Sequence, residues 1–195
     1  IVNRLADKLR RDGRVEVHVV PHELNLGPSI DWINARFRSL EDGLAIEVHK
    51  NSTNNAHGVE VWYWGGDNAS KGLAQALLNG IVAVPGMPVN RGVKGDNTNR
   101  HGSLGWIRQT TPWSLLAEMG FISTGGDPVD DAADDRYAEG LYRGTLAVMG
   151  LEYAPAPPPA PAPPALPKTT WRVVQMSTGK QIGAYNTEAG AWNKY

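Results

Sequence analysis

Two ionisable residues stand at the carboxyl ends of short apolar segments. His49 follows the segment LAIEV, and Glu118 lies late in the segment SLLAEMGF. In open α/β sheets, ligands bind beyond the carboxyl ends of the strands. A carboxylate within an apolar strand is costly to bury unless it is paired, bound to a metal or catalytic. Both positions are therefore candidates for a functional site.

Each of these residues also has a purely structural interpretation. His49 could be hydrogen-bonded at the edge of a strand, and Glu118 could form a structural salt bridge. Glu47 shares a strand face with His49 because side chains alternate along a strand. It could orient the imidazole, although a solvent-facing or salt-bridged role is the more common one for such a residue. No HExxH pattern, the spacing of a zinc-binding helix, occurs in the sequence.

Composition excludes several classes of function. The 195 residues carry 19 Lys and Arg against 20 Asp and Glu, a formal charge of −1, which argues against nucleic acid as a partner. Cysteine is absent, so a metal site must use His, Asp or Glu. No apolar run approaches the roughly 18 to 20 residues that a membrane span requires, and no leader is visible.

Proline usage predicts the domain organisation. Eight of the 14 prolines fall within the run APAPPPAPAPPALP, which favours stiff, extended polyproline geometry. We expect a catalytic domain over residues 1–152, a Pro/Ala-rich linker over 153–168 and a small piece over 169–195. In the last piece, TWRVVQM and KQIGAYN flank a turn and precede a short helical segment, which predicts a β-β-α arrangement.

The first domain alternates helix-like and strand-like patterns. Helices are predicted over 1–12, from Ser29 to Leu40, from Asn68 or Ser70 through Ile81, and over 131–149. Strands are predicted around Val15–Val19, Leu44–Val48, Gly58–Trp64 and Ser114–Phe121. This alternation favours an α/β fold with a mostly parallel sheet and helices on both faces.

Several motifs then follow one another in the order of a known family. They are IEVHKN (46–51), GVEVWYW (58–64), SKGLAQAL (70–77), NRGVK (90–94), LGWIRQTTPWSLLAEMGFIST (104–124) and Asp127. Over about residues 1–150 the chain resembles the zinc-dependent N-acetylmuramoyl-L-alanine amidases of bacterial autolysins and phage endolysins. Each motif alone is weak, but the ordered set is specific.

The resemblance implies roles for the two strand-end residues. His49 matches the family's third zinc ligand, and Glu118 matches its catalytic glutamate. Zinc would lower the pKa of its bound water from about 16 toward 7 and polarise the amide carbonyl. Glu118 would take the proton from that water and pass it to the leaving amine.

The family's first two zinc ligands have no counterpart in the sequence. They are a His after the first strand and a Glu before the first helix, and the chain begins inside that helix, so the central first strand has no counterpart either. Either the sequence lacks its natural N-terminus, or the protein is a metal-free relative of the family. With one of the three ligands, the chain as given is expected to hold zinc too weakly for activity. Recruitment of His22 and Glu23 as substitute ligands is conceivable, but they follow a different strand.

The resemblance implies a hydrolase that acts on peptidoglycan at the bacterial cell wall. An endolysin would be made in the host cytoplasm, and an autolysin would be secreted; the absence of a leader favours an endolysin. The tail resembles the start of small wall-binding modules, although it could equally be a remnant without affinity. The alternative is a non-catalytic wall-binding protein that keeps the fold without the metal.

Overall fold

The computed structural model describes residues 1–99 and 102–154 and the backbone of residues 172–177. Five α-helices and six strands lie within these ranges. The helices are α1 (Val2–Asp12), α2 (Leu26–Asn34), α3 (Asn68–Val82), α4 (Gly105–Gln109) and α5 (Asp131–Val148); the strands are β1 (Glu16–Val19), β2 (Gly43–Asn51), β3 (Val59–Tyr63), β4 (Asn90–Gly95), β5 (Trp113–Phe121) and β6 (Arg172–Ser177).

All six strands belong to one sheet, in the order β1-β6-β2-β5-β3-β4. The first four in this order are parallel, β3 is antiparallel to β5, and β4 is parallel to β3. The predicted α/β fold with a mostly parallel sheet is therefore confirmed. Because β3 and β4 run the opposite way, their first residues lie at the same edge of the sheet as the last residues of β2 and β5.

Alternation along β2 separates two apolar layers. Leu44, Ile46 and Val48 belong to the larger layer, which includes buried residues of α1, α3 and α5. Ala45 belongs to the smaller layer, together with buried residues of α2 and α4. Helices thus cover both faces, as predicted. In the part of the chain that the structure describes, no helix is long and apolar enough to cross a membrane.

The second helix differs from its prediction. The sequence predicts that Ser29 caps a helix reaching Leu40, whereas α2 begins at Leu26 and ends at Asn34. Ser29 lies inside the helix, where its hydroxyl donates to the carbonyl of Leu24 at 3.3 Å. Phe37 is buried beyond the helix end, and Leu40 is 41% exposed. The apolar spacing identified burial at Phe37, but it did not identify where the helix stops.

The tail contributes a strand to the main sheet. β6 is parallel to β2, with Gly43 opposite Arg172 and Val48 opposite Ser177, and it is also parallel to β1. The first predicted tail strand is present, but it lies between β1 and β2. Most of the predicted linker and the second strand and helix of the 169–195 piece lie outside the described ranges, so this division of the chain stays a prediction.

Helices α3 and α5 approach each other through glycines. A Cβ atom built on Gly80 would overlap the backbone of Gly144, and one built on Gly144 would overlap the carbonyl of Leu77. Only a residue without a side chain allows this approach of two helix backbones. Gly72, on the same helix α3, has nothing within 4 Å of its Cβ position, so no contact requires glycine there.

We predict that Gly80→Ala destabilises the protein and that Gly72→Ala does not. The new methyl group at position 80 must separate α3 from α5, which costs about 1–3 kcal/mol of unfolding free energy. At position 72 alanine has the better helix propensity, so the variant gains about 0.5–1 kcal/mol. Urea denaturation of both variants measures the difference. Equal stabilities would contradict the tight contact between the helices.

Helix α1 is joined to α5 through the carboxylate of Glu139. Its oxygens accept hydrogen bonds from Lys8 Nζ at 2.8 Å, Arg143 Nε at 2.9 Å and the Tyr153 hydroxyl at 2.7 Å. Burial raises the pKa of Glu139, but the hydrogen bonds from Lys8, Tyr153 and Arg143 outweigh it and lower the pKa to about 2. The ionised carboxylate therefore stabilises the folded state.

This interaction predicts a specific loss of stability in acid. The unfolded glutamate has a pKa of 4.5, so the stabilisation from Glu139 is complete above that pH and is lost as the pH falls through about 2. Glu139→Gln should cost about 1–2 kcal/mol near pH 6 and flatten this part of the stability profile. Glu152→Gln, at an exposed position, is the control. An unchanged acid profile in Glu139→Gln would contradict the assignment.

Candidate active site

One face of the sheet brings a row of ionisable side chains together. His49 of β2 lies opposite Glu118 of β5, and Glu118 lies opposite Glu60 of β3. Residues opposite one another on neighbouring strands project from the same face, as do residues two apart on one strand. Glu47 therefore belongs to this face as well. The two residues singled out from the sequence, His49 and Glu118, are neighbours.

His49 is paired with Glu47. Its Nε2 atom lies 3.0 Å from Oε1 of Glu47, whose side chain is only 8% exposed. The direction of this contact is not that of a hydrogen bond, and no other residue in the described ranges donates to or accepts from His49 Nε2. Burial lowers the pKa of His49, but the interaction with Glu47 and the negative charge of Glu118 together outweigh it and raise the pKa to about 9. Glu47 therefore has the salt-bridged role considered for it above and does not face solvent.

Glu118 is the least compensated carboxyl group of the row. The residue is 7% exposed, and no residue in the described part of the chain donates a hydrogen bond to its Oε2 atom. Burial raises the pKa of Glu118 to about 7; Glu60 and Glu47 act in the same direction, while His49 and Lys94 oppose them. A carboxyl group with a pKa near neutrality can both accept and return a proton at physiological pH.

Glu60 is a site residue that the sequence interpretation missed. It is 1% exposed, and its Oε2 atom accepts hydrogen bonds from Arg91 Nε at 2.8 Å and Lys94 Nζ at 2.6 Å. Its Oε1 atom accepts one from Trp62 Nε1 at 3.0 Å. A signal for it existed, since Glu60 is the one charged residue in the segment GVEVWYW.

Asp127 fixes the backbone at this edge of the sheet. Its Oδ2 atom accepts hydrogen bonds from the backbone N–H groups of Gly58 and Phe121, both at 2.9 Å. Gly58 precedes β3 and Phe121 ends β5, so this carboxylate joins the start of one strand to the end of the other. A Cβ atom at Gly58 would overlap the carbonyl of Val89, and its φ of +118° also favours glycine. The positions of Glu60 and Glu118 along their strands depend on this joint.

The donor set does not complete a zinc centre. Among residues 1–99 and 102–154, no group of three or more His, Asp or Glu side chains is placed to hold a metal ion. His49 is the single residue in this part of the chain that matches a predicted ligand. His22 is 92% exposed and lies 3.3 Å from Glu23, and this pair does not join His49 in such a group. A protein zinc site normally requires three or four ligands, so the residues described here do not fit one by themselves.

Comparison with known proteins identifies a match over most of the chain. A family model described as N-acetylmuramoyl-L-alanine amidase matches residues 1–144. No curated protein sequence matches the chain significantly.

Solved structures share the fold at low sequence identity. An N-acetylmuramoyl-L-alanine amidase from Clostridium difficile 630 is 24% identical with a TM-score of 0.64, over 76% of this chain and 79% of that one. The catalytic domain of an amidase from Bacillus (Paenibacillus) polymyxa var. colistinus is 21% identical with a TM-score of 0.63, over 77% and 81%. The catalytic domain of an endolysin targeting Clostridium difficile is 22% identical with a TM-score of 0.52, over 78% and 81%.

Proposed function

The chain belongs to the family of N-acetylmuramoyl-L-alanine amidases, and we propose that Glu118 is the catalytic acid–base of peptidoglycan hydrolysis in it. The position of Glu118 carries this proposal. It is the buried carboxyl group of the row with an oxygen that no donor among the described residues satisfies, at the sheet edge where an α/β fold binds its ligands.

The reaction is hydrolysis of the amide between the lactyl group of N-acetylmuramic acid and L-alanine. A water molecule beside Glu118 attacks the lactyl carbonyl carbon and gives its proton to the carboxylate. The carbon–nitrogen bond then breaks, and Glu118 returns the proton to the amino group of L-alanine. Its raised pKa suits both steps, because the carboxyl group is poised between its two protonation states near neutral pH.

Zinc dependence is part of the proposal, with His49 as one ligand. Family membership supports it, as does the position of His49 opposite Glu118 at the site edge. The proton that Glu47 favours on His49 must leave before the imidazole can bind a metal, so metal binding at this residue competes with protonation. The other ligands are not among the residues that the structure describes.

An endolysin role is also proposed. The likeness to an endolysin catalytic domain supports it, and the likeness to bacterial amidases supports the autolysin alternative. Both place the enzyme at the bacterial cell wall, with peptidoglycan as its substrate. The distinction lies in the route to the wall: an endolysin is made in the host cytoplasm, and an autolysin is secreted.

We predict that the protein releases free L-alanine amino groups from purified peptidoglycan without new reducing sugar ends. Hydrolysis of a glycan bond would produce reducing ends instead, so the two products separate an amidase from a glycosidase. A chelator should abolish the release, and added Zn²⁺ should restore it; this outcome requires zinc ligands besides those among the residues that the structure describes. If neither product forms while the protein still sediments with the wall, the non-catalytic wall-binding alternative is supported.

Glu118→Gln should lower the rate of amino-group release by about 10²- to 10⁴-fold, the usual contribution of a general acid–base. Glutamine keeps the shape of the side chain but cannot accept the proton. Glu152→Gln makes the same substitution at an exposed position and should keep the full rate. Full activity in Glu118→Gln would refute the catalytic role. A circular dichroism spectrum like that of the unmodified protein would exclude unfolding as the cause of a lost activity.

A further inference from the structure

The carboxylate of Glu60 is paired with two cationic side chains, although one would neutralise its charge. Arg91 and Lys94 both donate to its Oε2 atom, at 2.8 and 2.6 Å. Trp62 satisfies its other oxygen, so the carboxylate is fully engaged within the protein. The cluster of Glu60, Arg91 and Lys94 by itself therefore carries one positive charge in excess. The side chains of Arg91 and Lys94 are 36% and 30% exposed, so their remaining N–H groups are open to a ligand.

Both cations are held in place. The guanidinium group of Arg91 lies 5.0 Å from the ring centre of Phe121 and donates to the carbonyl of His57 at 3.3 Å. The ammonium group of Lys94 lies 5.3 Å from the ring centre of Trp62. Cations fixed by neighbouring groups lose little side-chain entropy when they bind an anion. Most surface Lys and Arg side chains lack such support.

The excess charge lies one strand away from Glu118. Glu60 is the cross-strand neighbour of Glu118, and neighbouring strands are about 5 Å apart. Arg91 and Lys94 belong to the next strand, β4, but their charged ends reach back to Glu60. A substrate bond placed over Glu118 therefore has a positive charge within roughly 5–10 Å on the β3 side.

We propose that Arg91 and Lys94 form a subsite for the free carboxylate of the acidic second residue of the peptidoglycan stem peptide. This inference rests on the proposed amidase function. In the stem peptide, L-alanine is followed by a glutamate joined through its side-chain carboxyl group, which leaves the α-carboxylate free. Two residue lengths, about 7 Å, separate that carboxylate from the scissile carbonyl, which agrees with the spacing between Glu118 and the cations. The subsite makes the enzyme selective for acidic stems over α-amidated ones.

The test compares two soluble ligands that differ only at this carboxylate. One is N-acetylmuramoyl-L-alanyl-D-isoglutamic acid, and the other is its α-amide. Binding is measured by isothermal titration calorimetry at pH 7, and cleavage by release of the free dipeptide. The unmodified protein should bind and cleave the acid about tenfold better than the amide, the usual strength of a hydrogen bond to a charged group.

Variants test whether Arg91 and Lys94 are the source of the preference for the acid. Lys94→Gln and Arg91→Gln should each reduce the acid-to-amide ratio toward one, mainly by weakening binding of the acid. Lys94→Arg keeps the charge and should keep the preference. Lys71→Gln removes a charge from an exposed position on α3 and should change neither ligand's affinity, so it controls for net charge.

The outcomes separate this inference from the proposed function. Equal binding and cleavage of acid and amide by the unmodified protein would overturn the subsite and leave the amidase activity standing. A preference for the acid that survives in both glutamine variants would overturn the assignment to Arg91 and Lys94. Failure to bind or cleave either ligand would overturn the subsite together with the proposed function. The subsite would be supported if the folded glutamine variants lose the preference for the acid and Lys94→Arg retains that preference.

Discussion

Three buried carboxylates on one sheet face are the constraint on which the site depends. Glu47, Glu60 and Glu118 are each less than one-tenth exposed, on strands about 5 Å apart. Burial and mutual repulsion both disfavour their ionised forms. The fold compensates them unequally: Glu47 has the imidazole of His49, and Glu60 has two cations and an indole N–H group. Glu118 has the least compensation, and its pKa is accordingly raised to about 7.

The site was partly predictable because two of its members break apolar segments. His49 and Glu118 are polar residues at the ends of strands that are otherwise apolar, and strand direction then places both at one edge. Glu60 breaks an apolar segment in the same way, but alternation alone permits a solvent-facing glutamate there. Its partners Arg91 and Lys94 were beyond prediction, because the register of β4 against β3 shifts between Val59 and Val61. Such an irregularity changes which side chains meet across the strands.

Strand neighbours were harder to predict than strands. The segment RVVQM was correctly predicted as strand-forming from its β-branched residues, but the sequence interpretation paired it with the next segment of the tail. In the structure β6 pairs with β1 and β2 instead. The local sequence pattern determines whether a segment forms a strand. Which strands it pairs with depends on the place in the sheet that the rest of the fold leaves open, here between β1 and β2. Local pattern was insufficient for α2 as well. Its apolar spacing correctly indicated that Phe37 is buried, but the helix ends at Asn34, before that residue.

The charge distribution couples substrate binding to proton transfer. While Glu118 is ionised, its charge and that of Glu60 together balance Arg91 and Lys94. In the proposed mechanism Glu118 takes a proton from the attacking water, which leaves Glu60, Glu118, Arg91 and Lys94 with one net positive charge and so disfavours the transfer. A substrate carboxylate on Arg91 and Lys94 restores the balance at that moment. A stem with a free carboxylate would then stabilise the protonated state of Glu118, so the proposed subsite would favour the acidic stem in the rate of cleavage as well as in affinity.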